Sequence, residues 1–157
     1  MKFYDRYDSA RPYIAAYVLL QKDGKFAAVL RKNTGFMDGY YSLPAGKIEY
    51  GEPYKLGAQR EAKEEAGVEI ALDDLEFSHV CHRHTQRDDQ FSDWVDVYFT
   101  AKAWQGEVTN AEPEKCEEIA WLDLHNLPEN VIPYIAQALH QIEIGQPYSE
   151  FGWSDAA

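Results

Sequence analysis

Between Ala45 and Val68 the chain reads AGKIEYGEPYKLGAQREAKEEAGV, and the residues there that can do chemistry are mostly acids. Glu61, Glu64 and Glu65 crowd together, Arg60 stands beside them, and Glu52 precedes them in a glycine-bounded stretch. At ~100° per residue of α-helix, Glu65 lies about 40° from Glu61 on one side and Glu64 about 60° on the other. The three carboxylates therefore share a face. Like charges so placed repel and raise one another's pKa. A divalent cation is the economical neutraliser. Carboxylate oxygens suit Mg²⁺ or Mn²⁺, held by a few carboxylates, waters and substrate phosphates. The competing reading is a solvated acidic helix face. Arg60 is placed to hold Glu64, one turn on, or to reach back to Glu52, and so to orient the cluster.

The elements that must position these residues are legible too. Gly46 and Gly51 punctuate a loop, and Pro53 suits the first turn of a helix. Tyr54 to Ala66 are mostly good helix formers, and Gly67 sits where a left-handed C-cap would end them. Ala58, Ala62 and Ala66 recur at i, i+4, i+8, giving a small face able to press closely on a sheet.

Gly46, Glu52, Arg60, Glu61, Glu64, Glu65 and Gly67 make seven specified positions. At roughly 7% background each, such a match arises by chance about one time in a million in a chain of this size. The stretch resembles the Nudix signature at every fixed position: a glycine, five residues, Glu, seven residues, then Arg-Glu-apolar-x-Glu-Glu-x-Gly-apolar. Ala62 is its weakest match, being small where a larger apolar residue is common. The resemblance implies a Nudix-type α/β/α sandwich with a central mixed β-sheet, spanning about 12–145 within one domain of 1–157. It implies hydrolysis of a nucleoside diphosphate linked to another group, with Mg²⁺ or Mn²⁺ as cofactor. On it, Glu64 and Glu65 are the first-choice metal ligands and Glu61 a ligand or the general base. The carbonyl of Ala45 or Gly46 completes the shell, and Arg60 and Glu52 hold helix and loop together.

The remaining chain supplies candidates for the substrate. Tyr13 to Gln21 reads as a buried strand, Asp23-Gly24 as a hairpin turn, and Phe26 to Lys32 as the returning strand. Arg31 ends that strand and is a candidate phosphate ligand or a plain surface arginine. Phe36, Tyr40 and Tyr41 lie in a loop running into the signature, where an aromatic face can stack on a base or pack the core edge. Tyr41 is the one carried forward as a substrate contact. Leu75 to His84 and Trp94 to Trp104 read as strands, with a polar turn from Gln86 to Asp93. His79, His82 and His84 are read as sharing one strand face. A zinc site there is conceivable, but Arg83 or a histidine on a phosphate or base is preferred. The loop from Gln105 to Cys116 is acidic, and family habit places a further metal-directed carboxylate or the base there. Glu112, Glu114, Glu117 and Glu118 all qualify. Glu117 to Leu122 reads as a strand and Val131 to Ile142 as an amphipathic helix. Tyr148, Phe151 and Trp153 then form an aromatic tail that either wraps the body or meets a second subunit, so a homodimer is possible.

With 157 residues, 45% hydrophobic and 27% charged, the composition is that of a globular domain with a real core. The formal net charge of −12 argues against nucleic acid or an anionic membrane as partner and leaves a small nucleotide admissible if a metal supplies local positive charge. Cys81 and Cys116 form no C-x-x-C pair and read as buried thiols of a cytoplasmic protein. The first residues lack the apolar stretch of a signal peptide, and no apolar run is long enough to span a bilayer.

Relatives specific for ADP-ribose tend to carry a proline about sixteen residues past the final signature glycine, where Arg83 stands here. The tyrosine of diadenosine polyphosphate relatives is absent as well, His84 and Thr85 standing there. A nucleoside triphosphate pyrophosphohydrolase is the resulting expectation. Nucleotide-sugar or dinucleotide pyrophosphatases and a non-catalytic Nudix-like regulator are the alternatives. An isoprenoid diphosphate isomerase of this fold needs a cysteine before the signature, and both cysteines here follow it.

Overall fold

Apolar runs separated by turn residues become strands of one sheet. The computed structural model describes residues 9–153, so most of the short N-terminal arm expected before the core at about residue 12 lies outside the described residues. Strand β1 (Tyr13–Lys22) returns as β2 (Lys25–Arg31) through Asp23 and Gly24 at φ 54° and 76°, the two positive values that a type I′ hairpin requires. Short strands β3 (Tyr41–Ser42) and β4 (Ala45–Lys47) lead to helix α1 (Tyr54–Ala66). A 3₁₀ turn at Leu72–Asp74 precedes β5 (Leu75–Arg87), β6 (Gln90–Ala101), β7 (Cys116–Asp123), helix α2 (Pro133–Glu143) and β8 (Tyr148–Phe151). The strand order is β3-β2-β1-β6-β5-β8, with β4 beside β1 and β7 beside β2. The β1–β6 and β5–β8 pairs are parallel and the others antiparallel, so the sheet is mixed.

Side chains of β1 alternate between the two faces, as the period of a strand dictates. Ala15, Tyr17 and Leu19 pack with Ile135, Ala138 and Leu139 of α2. Ala16, Val18 and Leu20 pack with Ala58, Ala62 and Ala66 of α1. One helix thus covers each face, and the result is an α/β/α sandwich. The three α1 alanines are fully buried, which lets the helix backbone lie close to the sheet. Gly67 ends α1 at φ 70° with its N–H on the Lys63 carbonyl.

Two local expectations change, and one choice that the sequence left open is decided. The residues from Gln86 to Asp93 are mostly paired strand: Arg87 faces Gln90 and Gln86 faces Phe91, leaving Asp88-Asp89 as the turn, with Asp88 at φ 55°. Their polarity marks a solvated hairpin end rather than a loop. The histidines do not share a face, because His79 and His82 are three residues apart. His79 is buried against Ser149 and the Gln146 carbonyl, at 2.7 Å each, whereas the rings of His82 and His84 both meet Trp153. The tail wraps the body: β8 adds to the sheet edge beside β5, Phe151 packs edge-on to Tyr134, and Trp153 donates to the His82 carbonyl. Cys81 and Cys116 are free and buried. Among the described residues no helix is long and apolar enough to cross a membrane.

Candidate active site

The acidic helix is held against two backbone segments by the residues that carry the signature. Gly46 lies in β4, paired with Ala16 of β1. A Cβ at Gly46 would fall on the Glu61 carboxylate, so only glycine leaves that carboxylate its space. The Ala45 N–H donates to Glu65 Oε2 at 3.0 Å, which ties β4 to the end of α1. Arg60 grips the preceding loop: its Nε and Nη2 donate to the two oxygens of Glu52 at 2.8 and 2.9 Å, and Nη2 also reaches the Lys47 carbonyl at 3.2 Å. Its Nη1 turns to Glu61 at 2.7 Å and Glu64 at 3.4 Å. Arg60 therefore takes both partners foreseen for it, and Glu61 in addition.

Glu61, Glu64 and Glu65 line one cavity of about 650 Å³ together with Ala45 and Gly46. Their environments differ. Burial pushes the Glu65 carboxyl up to about 8; the Ala45 N–H opposes this, and the charges of Glu61 and Glu112 add to it. Burial also raises Glu61, against the pull of Arg60. Glu64 is exposed.

Of the four loop carboxylates, Glu112 reaches this cavity. The loop is stitched to the end of α1 by the Thr109 N–H on the Ala66 carbonyl at 3.0 Å and the Ala111 N–H on the Glu65 carbonyl at 3.2 Å. The other three are placed elsewhere. Glu118 accepts from the Tyr41 hydroxyl at 2.7 Å, Glu117 pairs with Lys32 at 3.6 Å, and the Glu114 carbonyl accepts from Asn33. Lys115, which sequence reasoning passed over, lines the cavity beside Glu112 at 3.4 Å. A lysine three residues after a candidate acid was the available signal.

A second cavity, of about 320 Å³, adjoins the first and shares Arg31, Gly46 and Lys47 with it. Arg31 is held by the Phe36 carbonyl at 2.9 Å and Thr34 Oγ1 at 3.0 Å. Arg83 lines this second cavity but is itself buried, donating to both oxygens of Asp96 at 2.6 and 3.1 Å, with its guanidinium over the rings of Trp94 and Tyr134. Phe36 lines the second cavity. Tyr41 lines neither; its ring packs at the core edge, the alternative left open by the sequence.

The donor set fits a hard divalent cation. Three carboxylates, two of them with a raised pKa, and a backbone held open by glycine supply oxygen ligands only. Among the described residues no three such side chains already stand in ligating geometry. In this arrangement Arg60 Nη1 donates to an oxygen of Glu61 and an oxygen of Glu64.

The sequence profile of the NUDIX domain matches residues 10–142. An ADP-ribose pyrophosphatase of Methanocaldococcus jannaschii is 29% identical over 118 residues, which are 75% of this chain and 66% of that protein. A NAD-capped RNA hydrolase, NudC, of Stutzerimonas stutzeri is 27% identical over 124 residues, 76% of this chain and 42% of that protein. The chain thus spans between two fifths and two thirds of the length of these relatives. Among solved structures, a MutT NUDIX hydrolase from Burkholderia pseudomallei superposes with a TM-score of 0.74 at 27% identity, covering 83% of this chain and 98% of the other. A MutT protein from Methanosarcina mazei shares the fold, with a TM-score of 0.72 at 19% identity over 87% and 96% of the two chains.

Proposed function

From the premise that this chain belongs to the Nudix family and is a Nudix hydrolase, we propose that it cleaves the diphosphate bond of a nucleoside diphosphate linked to another group, with Mg²⁺ or Mn²⁺. The observation carrying this reading is the cavity that gathers Glu61, Glu64, Glu65 and Glu112, with Arg31, Lys47 and Lys115 among its walls. Glu61, Glu64 and Glu65 would hold the cation, with a carbonyl of Ala45 or Gly46. When bound, such an ion would supply Lewis acidity to phosphoryl oxygens and lower the pKa of an attacking water. Glu112, on a loop stitched to the helix, takes that water's proton. Arg31 and Lys115 offset charge on the phosphates. Arg60 and Glu52 position the helix and touch no substrate.

The absence of the proline marker favours nucleoside triphosphates over ADP-ribose. A relative named ADP-ribose pyrophosphatase favours the reverse, so both belong in one panel. Purified protein with Mg²⁺ is expected to release a nucleoside monophosphate from at least one member, and EDTA to abolish release. In ¹⁸O-labelled water the solvent oxygen is expected on a phosphate of the products. Turnover of none, with either metal, leaves a ligand-binding module as the reading.

A further inference from the structure

The second cavity is lined by Arg31, Lys47, Arg83 and Arg87 and by no carboxylate, in a chain of net charge −12. Arg83 is offset by Asp96 beneath it. The other three meet no carboxylate within 4.0 Å among the described residues. Arg31 and Arg87 give their recorded hydrogen bonds to neutral oxygens, Arg87 through Nη2 to the Gly35 carbonyl at 3.0 Å. The Lys47 ammonium lies 4.8 Å from the centre of the Tyr13 ring and 5.5 Å from that of Trp94. An acidic protein that concentrates unpaired cations in one cavity, beside a cavity of acids, has a use for negative charge there. Exposed surface arginines need no such company.

The aromatic rings nearby do not make this a base-stacking slot. Arg83 lies 4.9 Å from the centre of the Trp94 ring and 4.0 Å from that of Tyr134. Tyr13 and Lys47 are also on Trp94. The two rings already serve as cation–π partners, which keeps the guanidinium and ammonium groups in place without cancelling their charge. Thr85 and Ser92, on the paired strands above, add hydroxyls to the wall. Guanidinium forks with hydroxyls match the several acceptor oxygens of a phosphate.

We propose that the second cavity binds a phosphomonoester carried by the substrate away from its scissile diphosphate, with Arg87 and Lys47 as its principal ligands. This rests on the reading of the first cavity as the cleavage site. Arg87 comes from the tip of the β5–β6 hairpin, whereas Lys47 ends β4, and Arg87 also holds the loop at Gly35.

Matched pairs that differ by one phosphomonoester test it: NAD with NADP, ADP-ribose with ADP-ribose 2′-phosphate, and dephospho-coenzyme A with coenzyme A. Calorimetry on the metal-free protein gives the affinity ratio within each pair, and hydrolysis with Mg²⁺ is measured separately. In at least one pair the phosphorylated member is expected to bind tenfold or more tightly. That ratio is expected to fall at least fivefold in Arg87→Gln and in Lys47→Gln, and to shrink with added salt. Ratios within twofold of one in every pair, no binding of any member, or a ratio untouched by both substitutions overturns the inference. A tenfold ratio without hydrolysis of any nucleotide supports the site and removes the hydrolase reading instead.

Discussion

Arg60 donates to both oxygens of Glu52, at 2.8 and 2.9 Å, joining the first turns of α1 to the end of the loop that Gly46 and Gly51 bound. Through this fork the loop that carries Gly46 and Lys47 is locked to the helix that carries the three acids. Glu52 also accepts from the Glu49 N–H at 3.1 Å, so losing Arg60 loosens the loop from within. Both side chains are mostly shielded, which keeps the pair above the value of an exposed ion pair. Arg60→Ala is expected to cost about 1–3 kcal/mol in chemical denaturation, with a double-mutant cycle against Glu52→Gln recovering most of it as coupling. Turnover is expected to fall as well. Unchanged stability would remove the positioning role.

Gly46→Ala separates metal holding from folding. The three heavy atoms nearest to the added methyl all belong to the Glu61 carboxylate, which must swing away, while β4 is expected to keep its pairing to β1. Mg²⁺ affinity by calorimetry is expected to drop about 10–100-fold, the range seen when a ligand's support is disturbed, with the melting temperature nearly kept. Calorimetry on the double substitution Glu64→Gln with Glu65→Gln is expected to show no binding at all.

Glu65 gives the metal-free protein a pH signature. Its folded pKa is raised from 4.5 to about 8. A raised carboxyl binds its proton more tightly in the folded state, so its contribution is complete below pH 4.5 and is lost as pH rises through 8. The melting temperature of Glu65→Gln relative to the native chain is expected to climb across that window, measured in EDTA. Mg²⁺ should remove the advantage of the variant. A flat difference between pH 5 and 8.5 would place the carboxyl in water.

His79 works in the opposite direction. Its Nδ1 donates to the Gln146 carbonyl and its Nε2 accepts from Ser149, so the neutral ring fastens the tail. Burial lowers its pKa below the usual 6.5. A histidine kept neutral by folding withdraws stability as pH falls through 6.5. Amides of β8 are expected to exchange faster at pH 5.5 than at 7.5, relative to amides of β1, and His79→Gln to weaken that dependence. Uniform behaviour of β8 and β1 would show that His79 does not govern the tail.

The sequence by itself determined the acidic helix and the loop before it. Helix formers from Tyr54 to Ala66, a glycine cap at Gly67 and the Ala58-Ala62-Ala66 stripe are local features, set by backbone propensity and a 3.6-residue period. The Asp23-Gly24 hairpin is legible for the same reason. The tertiary structure decided what depends on distant residues meeting. It brought Glu112 rather than Glu114, Glu117 or Glu118 to the acidic cavity, because Thr109 and Ala111 pair with the end of α1. It took Tyr41 out of the cavities and buried Arg83 over Asp96, a partner across the β5–β6 pair that no local pattern marks. It turned the aromatic tail into an edge strand. Charge, exposure and pKa belong to this second class, since each is a sum over neighbours that only folding supplies.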